Sequence, residues 1–342
     1  MRKLRATVLG LGLGRQRALG YLQNEHMQLS AVCDVNERRV KQFLAEHPNV
    51  HGYTDYDEML QQEQPDIANV STPDWMHLEH ALKALEHGCH VLLEKPMVRI
   101  LADAETLIKA VDKSGLQLMV GQNYRRIPMS VLAKQLIAEG ALGTIFHAAA
   151  ETFQNKFRQF ANSSWYASAE YPRAALLGTG IHAVDLLRFL IGEVEEAFAY
   201  GNHFAYPDFP GDDFMTVLYR FRNGVIGRVG VAYATVLPRG VGGLNLRLYG
   251  SKGSLENDRF FRGPNGEGDW EQQEGNTDCR RQDVKLPAMK NPFWQEVDYF
   301  VTCIQKGETP SVDVREGARN VAACLAGVES AKIGRPIKPA QF

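Results

Sequence analysis

Three glycines and one carboxylate carry the first chemistry legible in this chain. Gly10, Gly12 and Gly14 follow an apolar run from Ala6 to Leu9, and Asp34 closes a second apolar run from Leu29 to Cys33. The order reads as strand, glycine-rich turn, helix, strand and acid. A dinucleotide needs each part. Gly10 permits a tight turn, Gly12 lets the backbone approach a pyrophosphate, and Leu13 and Gly14 belong to the same candidate cofactor turn. N–H groups and the dipole at the start of the next helix would receive the phosphate charge. Asp34 lies about 20 residues beyond Gly12 and can accept hydrogen bonds from ribose hydroxyls. A carboxylate there repels a 2′-phosphate, so NAD is expected over NADP. Arg38 and Arg39 follow closely and soften that preference. The third glycine of the fingerprint would fall at Arg15; Gly14 stands one place early.

Elements able to hold such a turn run through the first third of the chain. Helix patterns at 37–47, 55–62, 76–87 and 101–114 alternate with strand patterns at 66–70, 90–93 and 116–120. That rhythm predicts a parallel, doubly wound sheet, whose ligands lie beyond the carboxyl ends of its strands. Asp34, Ser71, Thr72, Glu94, Lys95, Gln122 and Asn123 all fall at such ends. After about residue 123 the texture changes. Strand patterns lengthen, at 144–153, 194–203, 213–221, 225–235 and 244–249, and Asn223-Gly224 marks a hairpin. A mainly antiparallel sheet with a helix at 182–190 is expected there. The polar stretch 258–276 reads as a long loop, and helix patterns close the chain at 293–305 and 314–332. The fold class is therefore α/β, with a dinucleotide-binding domain at 1–122 and an α+β domain at 123–342.

At 342 residues the chain suits about two domains. Its formal charge of −2 supplies no broad basic field for nucleic acid or anionic membrane. No apolar run of about 18 residues and no signal peptide is legible, so a cytoplasmic protein without a membrane span is expected. Five scattered cysteines fit reduced thiols better than a disulfide frame. His77 and His80 share a helix face, but no third ligand accompanies them, so no metal site is expected.

From Glu94-Lys95-Pro96 onward the accumulated pattern resembles the Gfo/Idh/MocA oxidoreductases, the glucose–fructose oxidoreductase and inositol dehydrogenase family. The resemblance takes in the Gly10 turn, Asp34, Ser71-Thr72-Pro73 with His77, and Asn123-Tyr124-Arg125. It continues through Leu142-Gly143-Thr144-Ile145, Gly180-Ile181-His182-Ala183-Val184-Asp185 and Gly250-Ser251-Lys252-Gly253. It implies a Rossmann domain for a nicotinamide dinucleotide and a second domain with an open antiparallel sheet. That sheet would serve a homodimer or homotetramer, and the last helix would pack back on the first domain. It also implies hydride transfer between the nicotinamide and a secondary carbinol of a sugar, sugar acid or cyclitol.

Oxidising a carbinol needs a base, a cation to steady alkoxide charge and a nicotinamide against the carbon. Lys95 fits the cation or proton relay, and the resemblance implies a cis peptide before Pro96. His182 is the expected base, with Asp185 on the same helix face. His77 matches a family position near the cofactor, and Ser71, Thr72, Glu94, Arg39 and Asn123 are further candidate cofactor-binding residues. Tyr124, Arg125, Trp165, Tyr166, Tyr171, Arg173 and Thr179 fall where the resemblance puts the substrate, and Arg173 could pair with a substrate carboxylate. One departure stands out. The family commonly carries aspartate four residues before the histidine, where this chain has Gly178. Lys95 and His182 could suffice, with Thr179 or a water orienting the hydroxyl. Two other readings stay open: NAD-assisted oxidation, elimination and re-reduction on a sugar, and a non-catalytic cofactor-sensing module.

Overall fold

A computed structural model of the chain describes residues 2–342 except 163–167, 171, 207, 237–242, 263–279, 283–285, 287 and 289. Two compact units emerge. The first comprises Met1–Asn123, Lys290–Val321 and Phe342; the second comprises Tyr124–Met289 and Ala322–Gln341. The chain therefore passes between them more than once.

In the first unit, β1 (Leu4–Leu9), α1 (Gly14–Gln23), β2 (Met27–Cys33), α2 (Glu37–Glu46) and β3 (His51–Tyr53) open the chain. Then come α3 (Tyr56–Glu63), β4 (Ile67–Val70), α4 (His77–Glu86), β5 (His90–Leu93), α5 (Leu101–Ser114) and β6 (Leu118–Val120). Two of these helix starts are capped by local side chains: Asn36 accepts Arg38 N–H at α2, and Asp55 accepts Glu58 N–H at α3. Gly115 ends α5 in the left-handed region, at φ 67°. All six strands are parallel in the order β3-β2-β1-β4-β5-β6. The order reverses between β1 and β4, the point at which such sheets bind ligands. Fully buried Val8, Ala18, Tyr21, Phe43, Ile67 and Leu92 form the core with Val297 and Phe300.

The second unit begins with α6 (Pro128–Ala138), β7 (Ile145–Phe153), α7 (Phe157–Asn162) and α8 (Ile181–Ile191). Strands β8 (Val194–Asn202), β9 (Phe214–Phe221), β10 (Ile226–Ala232) and β11 (Gly243–Gly250) follow, then β12 (Gly253–Glu256), β13 (Arg259–Arg262) and β14 (Arg280–Gln282). They form an eight-stranded sheet, β14-β13-β12-β11-β7-β10-β9-β8, antiparallel except where β10 runs parallel to β7. The Asn223-Gly224 hairpin joins β9 to β10. The start of the polar stretch is a correction to the sequence reading. Residues 259–262 are strand rather than loop, because Phe260 is buried and the backbone completes its ladder on β12. Helix α9 (Pro292–Lys306) belongs to the first unit, and α10 (Val314–Ile333) begins in the first and ends in the second.

Candidate active site

The glycine turn is built as a dinucleotide cradle. Gly10 has φ 89°, and a Cβ there would lie 2.5 Å from the Ser71 carbonyl oxygen. Only glycine meets both demands. Gly12 has no atom within 4 Å of an added Cβ, so its outer side is open. Gly14 opens α1, and a Cβ there would meet Ser71 Cβ at 2.9 Å and Val8 Cγ1 at 3.0 Å. It therefore does the work of the displaced third glycine, letting α1 approach β1 and β4. Arg15, the residue at the usual third position, turns outward to Glu46 at 2.6 Å.

Asp34 is buried at the tip of β2. Its Oδ2 accepts Leu11 N–H at 2.8 Å and its Oδ1 accepts Asn36 N–H at 2.8 Å. The carboxylate thus pins the glycine turn to the next helix. Arg39 Nη1 reaches the same Oδ2 at 3.3 Å from a half-exposed side chain.

At the end of β4, Ser71 Oγ accepts from Asn69 Nδ2 at 2.8 Å, and Thr72 Oγ1 lies 3.0 Å from His80 Nδ1. Burial lowers the His80 pKa to about 4, so its ring is neutral near pH 7. His77 bridges two loops: Nδ1 lies 2.7 Å from Pro96 O and Nε2 lies 3.0 Å from Thr72 O. The Lys95–Pro96 peptide is cis, as the resemblance implied. Asn123 Oδ1, just past β6, is buried without a hydrogen-bond partner. An open flank at Gly12, a buried acid at the tip of β2 and an orphaned amide oxygen past β6 fit a dinucleotide laid across the strand ends.

Sequence reasoning missed Arg17. Its side chain is fully buried and donates to Glu94 at 2.7 Å and Glu296 at 2.9 Å. Its guanidinium also lies 5.2 Å from the Phe293 ring centroid. Burial opposes charge on Arg17, but Glu94 and then Glu296 outweigh it and raise its pKa. Burial alone would push the Glu94 carboxyl up; Arg17, with help from Lys95, holds it below the usual range. Glu94 Oε2 also accepts the Lys95 backbone N–H at 2.9 Å. Glu94 therefore anchors the segment bearing Lys95. A signal did exist: Gly14, Arg17, Ala18 and Tyr21 share one helical face, and a charge on that stripe needs a buried partner.

In the second unit, α8 presents His182 near its start. The imidazole is 7% exposed and stacks on Tyr124, with ring centroids 4.2 Å apart and planes at 11°. One turn on, Asp185 receives Arg125 in a bidentate pair, Nε to Oδ2 at 2.8 Å and Nη2 to Oδ1 at 2.6 Å. The Arg125 guanidinium also lies over Phe189, 4.8 Å from its centroid. That pair fixes the Tyr124–Arg125 backbone beside α8, so the Tyr124 ring is held against His182. Thr179 and Arg173 are buried close to Gly178. Trp165, Tyr166 and Tyr171 lie outside the described residues.

Residues 4–122 match the model of the Gfo/Idh/MocA oxidoreductase family with its NAD-binding Rossmann fold, and residues 131–256 match that family's C-terminal domain. The chain belongs to the Gfo/Idh/MocA family. It is 24% identical over 351 residues to a D-apiose dehydrogenase of Paraburkholderia graminis, covering 99% of this chain and 90% of that one. A levoglucosan dehydrogenase of Pseudarthrobacter phenanthrenivorans is 29% identical over 202 residues, about half of each chain. Among solved structures, the WlbA dehydrogenase from Bordetella pertussis, in complex with NADH and UDP-GlcNAcA, aligns over all of both chains. Its TM-score is 0.82 at 25% identity. An oxidoreductase from Agrobacterium radiobacter shares the fold at TM-score 0.84 and 21% identity over 98% of each chain.

Like other members of the Gfo/Idh/MocA family, the protein is an oxidoreductase with an NAD-binding Rossmann domain. Among the described residues no helix is long and apolar enough to cross a membrane. No group of three or more His, Cys, Asp or Glu side chains among them could hold a metal.

Proposed function

We propose that this protein is an NAD-dependent dehydrogenase acting on a secondary carbinol of a sugar, sugar acid or cyclitol. The observation that carries the reading is the turn itself: Gly10 and Gly14 cannot bear a Cβ, while Gly12 has open space and Asp34 waits at the next strand tip. Such a turn suits a ribose and pyrophosphate rather than packing alone. The acid favours NAD over NADP, and Arg39 moderates that preference through its contact with Asp34. The bound nicotinamide would supply the hydride acceptor. His182 takes the carbinol proton on an imidazole nitrogen. Tyr124, stacked on its face, keeps the ring in one orientation. Lys95 Nζ steadies the negative charge that grows on the oxygen. Thr179 and Arg173 offer a hydroxyl and a guanidinium to the remaining substrate groups.

The open face of the eight-stranded sheet presents Tyr200, Leu218 and Ile226. Beside them is an ionic cluster in which Glu151 holds Arg228 at 2.5 Å and Arg247 at 3.3 Å. We assign this face to a homodimer or homotetramer. Among the described residues Cys33, Cys89, Cys303 and Cys324 are buried and form no disulfide, which fits a reducing cytoplasm.

The test is NADH formation, read by absorbance, with a panel of sugars, inositols and sugar acids. Turnover that falls by about 10²–10⁴ in His182→Ala and in Lys95→Met is expected. No turnover with any substrate in either direction overturns the reading. Cofactor that co-purifies and cycles without net NADH release would instead favour oxidation, elimination and re-reduction.

A further inference from the structure

Gly178 and Tyr233 meet at one point. A Cβ on Gly178 would lie 2.2 Å from Tyr233 Oη, with Arg173 Nε next at 3.2 Å and Arg173 Cζ at 3.4 Å. The Tyr233 ring carbons are thus no closer than those guanidinium atoms, and the clash is with the hydroxyl alone. Tyr233 follows β10 and is 2% exposed. Phe209 and Phe160 box its ring edge to face, at 5.1 and 5.5 Å. The ring cannot swing away, so the hydroxyl has a fixed address.

Two hydrogen bonds give that hydroxyl a direction. Tyr233 Oη donates to Ala175 O at 3.4 Å and accepts from Thr179 Oγ1 at 3.3 Å. As these bonds run, the Thr179 proton is committed to Tyr233. Thr179 Oγ1 then has lone pairs to offer and no proton. It stands three residues before His182, in the turn that leads into α8.

We propose that Tyr233 is a positioning residue: it polarises and orients Thr179 so that Oγ1 acts as an acceptor for a hydroxyl of the substrate. The glycine at 178 exists to admit that tyrosine hydroxyl. This deepens the dehydrogenase reading and rests on it. The arrangement selects substrates carrying an O–H donor where Thr179 reaches, and it penalises the matching deoxy analogue. A buried acceptor that loses its donor partner is costly in water-poor surroundings.

The experiment has two arms on the full-length protein. The first reads thermal unfolding and needs no activity. Gly178→Ala alone should lower Tm clearly, because its methyl overlaps Tyr233 Oη. Gly178→Ala with Tyr233→Phe should recover most of that loss, since the hydroxyl is gone. A double variant that loses the sum of both singles overturns the contact. The second arm reads steady-state turnover on whichever panel substrate the wild type oxidises. Tyr233→Phe and Thr179→Val should each cut kcat roughly five- to tenfold, the scale of one lost hydrogen bond, with the KM for NAD unchanged. The combined variant should be no worse than Thr179→Val, and Thr179→Ser should restore most of the rate. Losses that multiply, or a Tyr233→Phe enzyme at full rate, overturn the positioning role. Absence of wild-type turnover overturns the dehydrogenase reading instead, and the first arm still decides the Gly178–Tyr233 contact.

Discussion

Replacing Arg17 by Met removes a cation and leaves two carboxylates buried. The side chains of Arg17, Glu94 and Glu296 are 0%, 7% and 2% exposed. Methionine fills similar length, so the loss is chiefly of charge. Breaking a buried pair from one side costs about 3–5 kcal/mol, since the orphaned ion keeps its desolvation penalty. That is a large share of the 5–15 kcal/mol typical of a folded domain. Here two acids lose their shared counter-ion, which places the expected loss toward the upper end of the range.

The pH dependence supplies the sharper test. In the wild type, Arg17 holds the Glu94 carboxyl low against its burial. A depressed carboxyl contributes stability above its unfolded pKa, and that stability is lost as pH falls through the folded value. In Arg17→Met burial acts without its main opponent, so the Glu94 carboxyl moves up. The variant should then be most damaged near about pH 7 and should approach the wild type toward about pH 5, as Glu94 takes up a proton. Urea unfolding of both proteins at several pH values measures this. A difference below about 1 kcal/mol, or one that stays flat with pH, refutes the claim that Arg17 is the counter-ion of this cluster. Turnover should also fall, because Glu94 holds the Lys95 backbone N–H.

Other consequences concern the cofactor turn. Gly12→Ala has open space for its methyl, so stability should stay within about 0.5 kcal/mol while NAD affinity, read by NADH fluorescence, falls tenfold or more. Gly10→Ala meets both a positive φ and the Ser71 carbonyl; it should lower stability by more than about 2 kcal/mol and show in urea unfolding. Asp34→Ser should shift the ratio of NADPH to NADH affinity upward by about tenfold or more. The same variant should also lose about 1–3 kcal/mol, because the Leu11 and Asn36 N–H groups lose their acceptor.

Much of the first unit was legible because its signals are local. Strands β5 at 90–93 and helix α5 at 101–114 fall where apolar runs and glycine stops put them. The glycine turn and Asp34 announce themselves by spacing. Short elements with little periodicity did not: β3 has three residues, two of them exposed, and nothing in His51-Gly52-Tyr53 marks a strand. Strand β13 hid in a charged sequence, Arg-Phe-Phe-Arg, whose order depends on the partner strand β12.

The site shows the same division more sharply. Glycine at 178 reads in the sequence as a missing acid, a local fact with an absent cause. Its cause is a hydroxyl 55 positions later, brought there by β10 and locked by two aromatic rings. Arg17 likewise looks like a surface charge until Glu296, from a helix near the other end of the chain, closes over it. Local pattern specifies turns and elements, because those depend on backbone conformation and periodicity. The groups that tune charge and hydrogen-bond direction depend on which distant side chains share a few cubic ångströms. For this protein that makes substitutions at 17 and 233 more informative about the chemistry than substitutions at residues that match the family pattern.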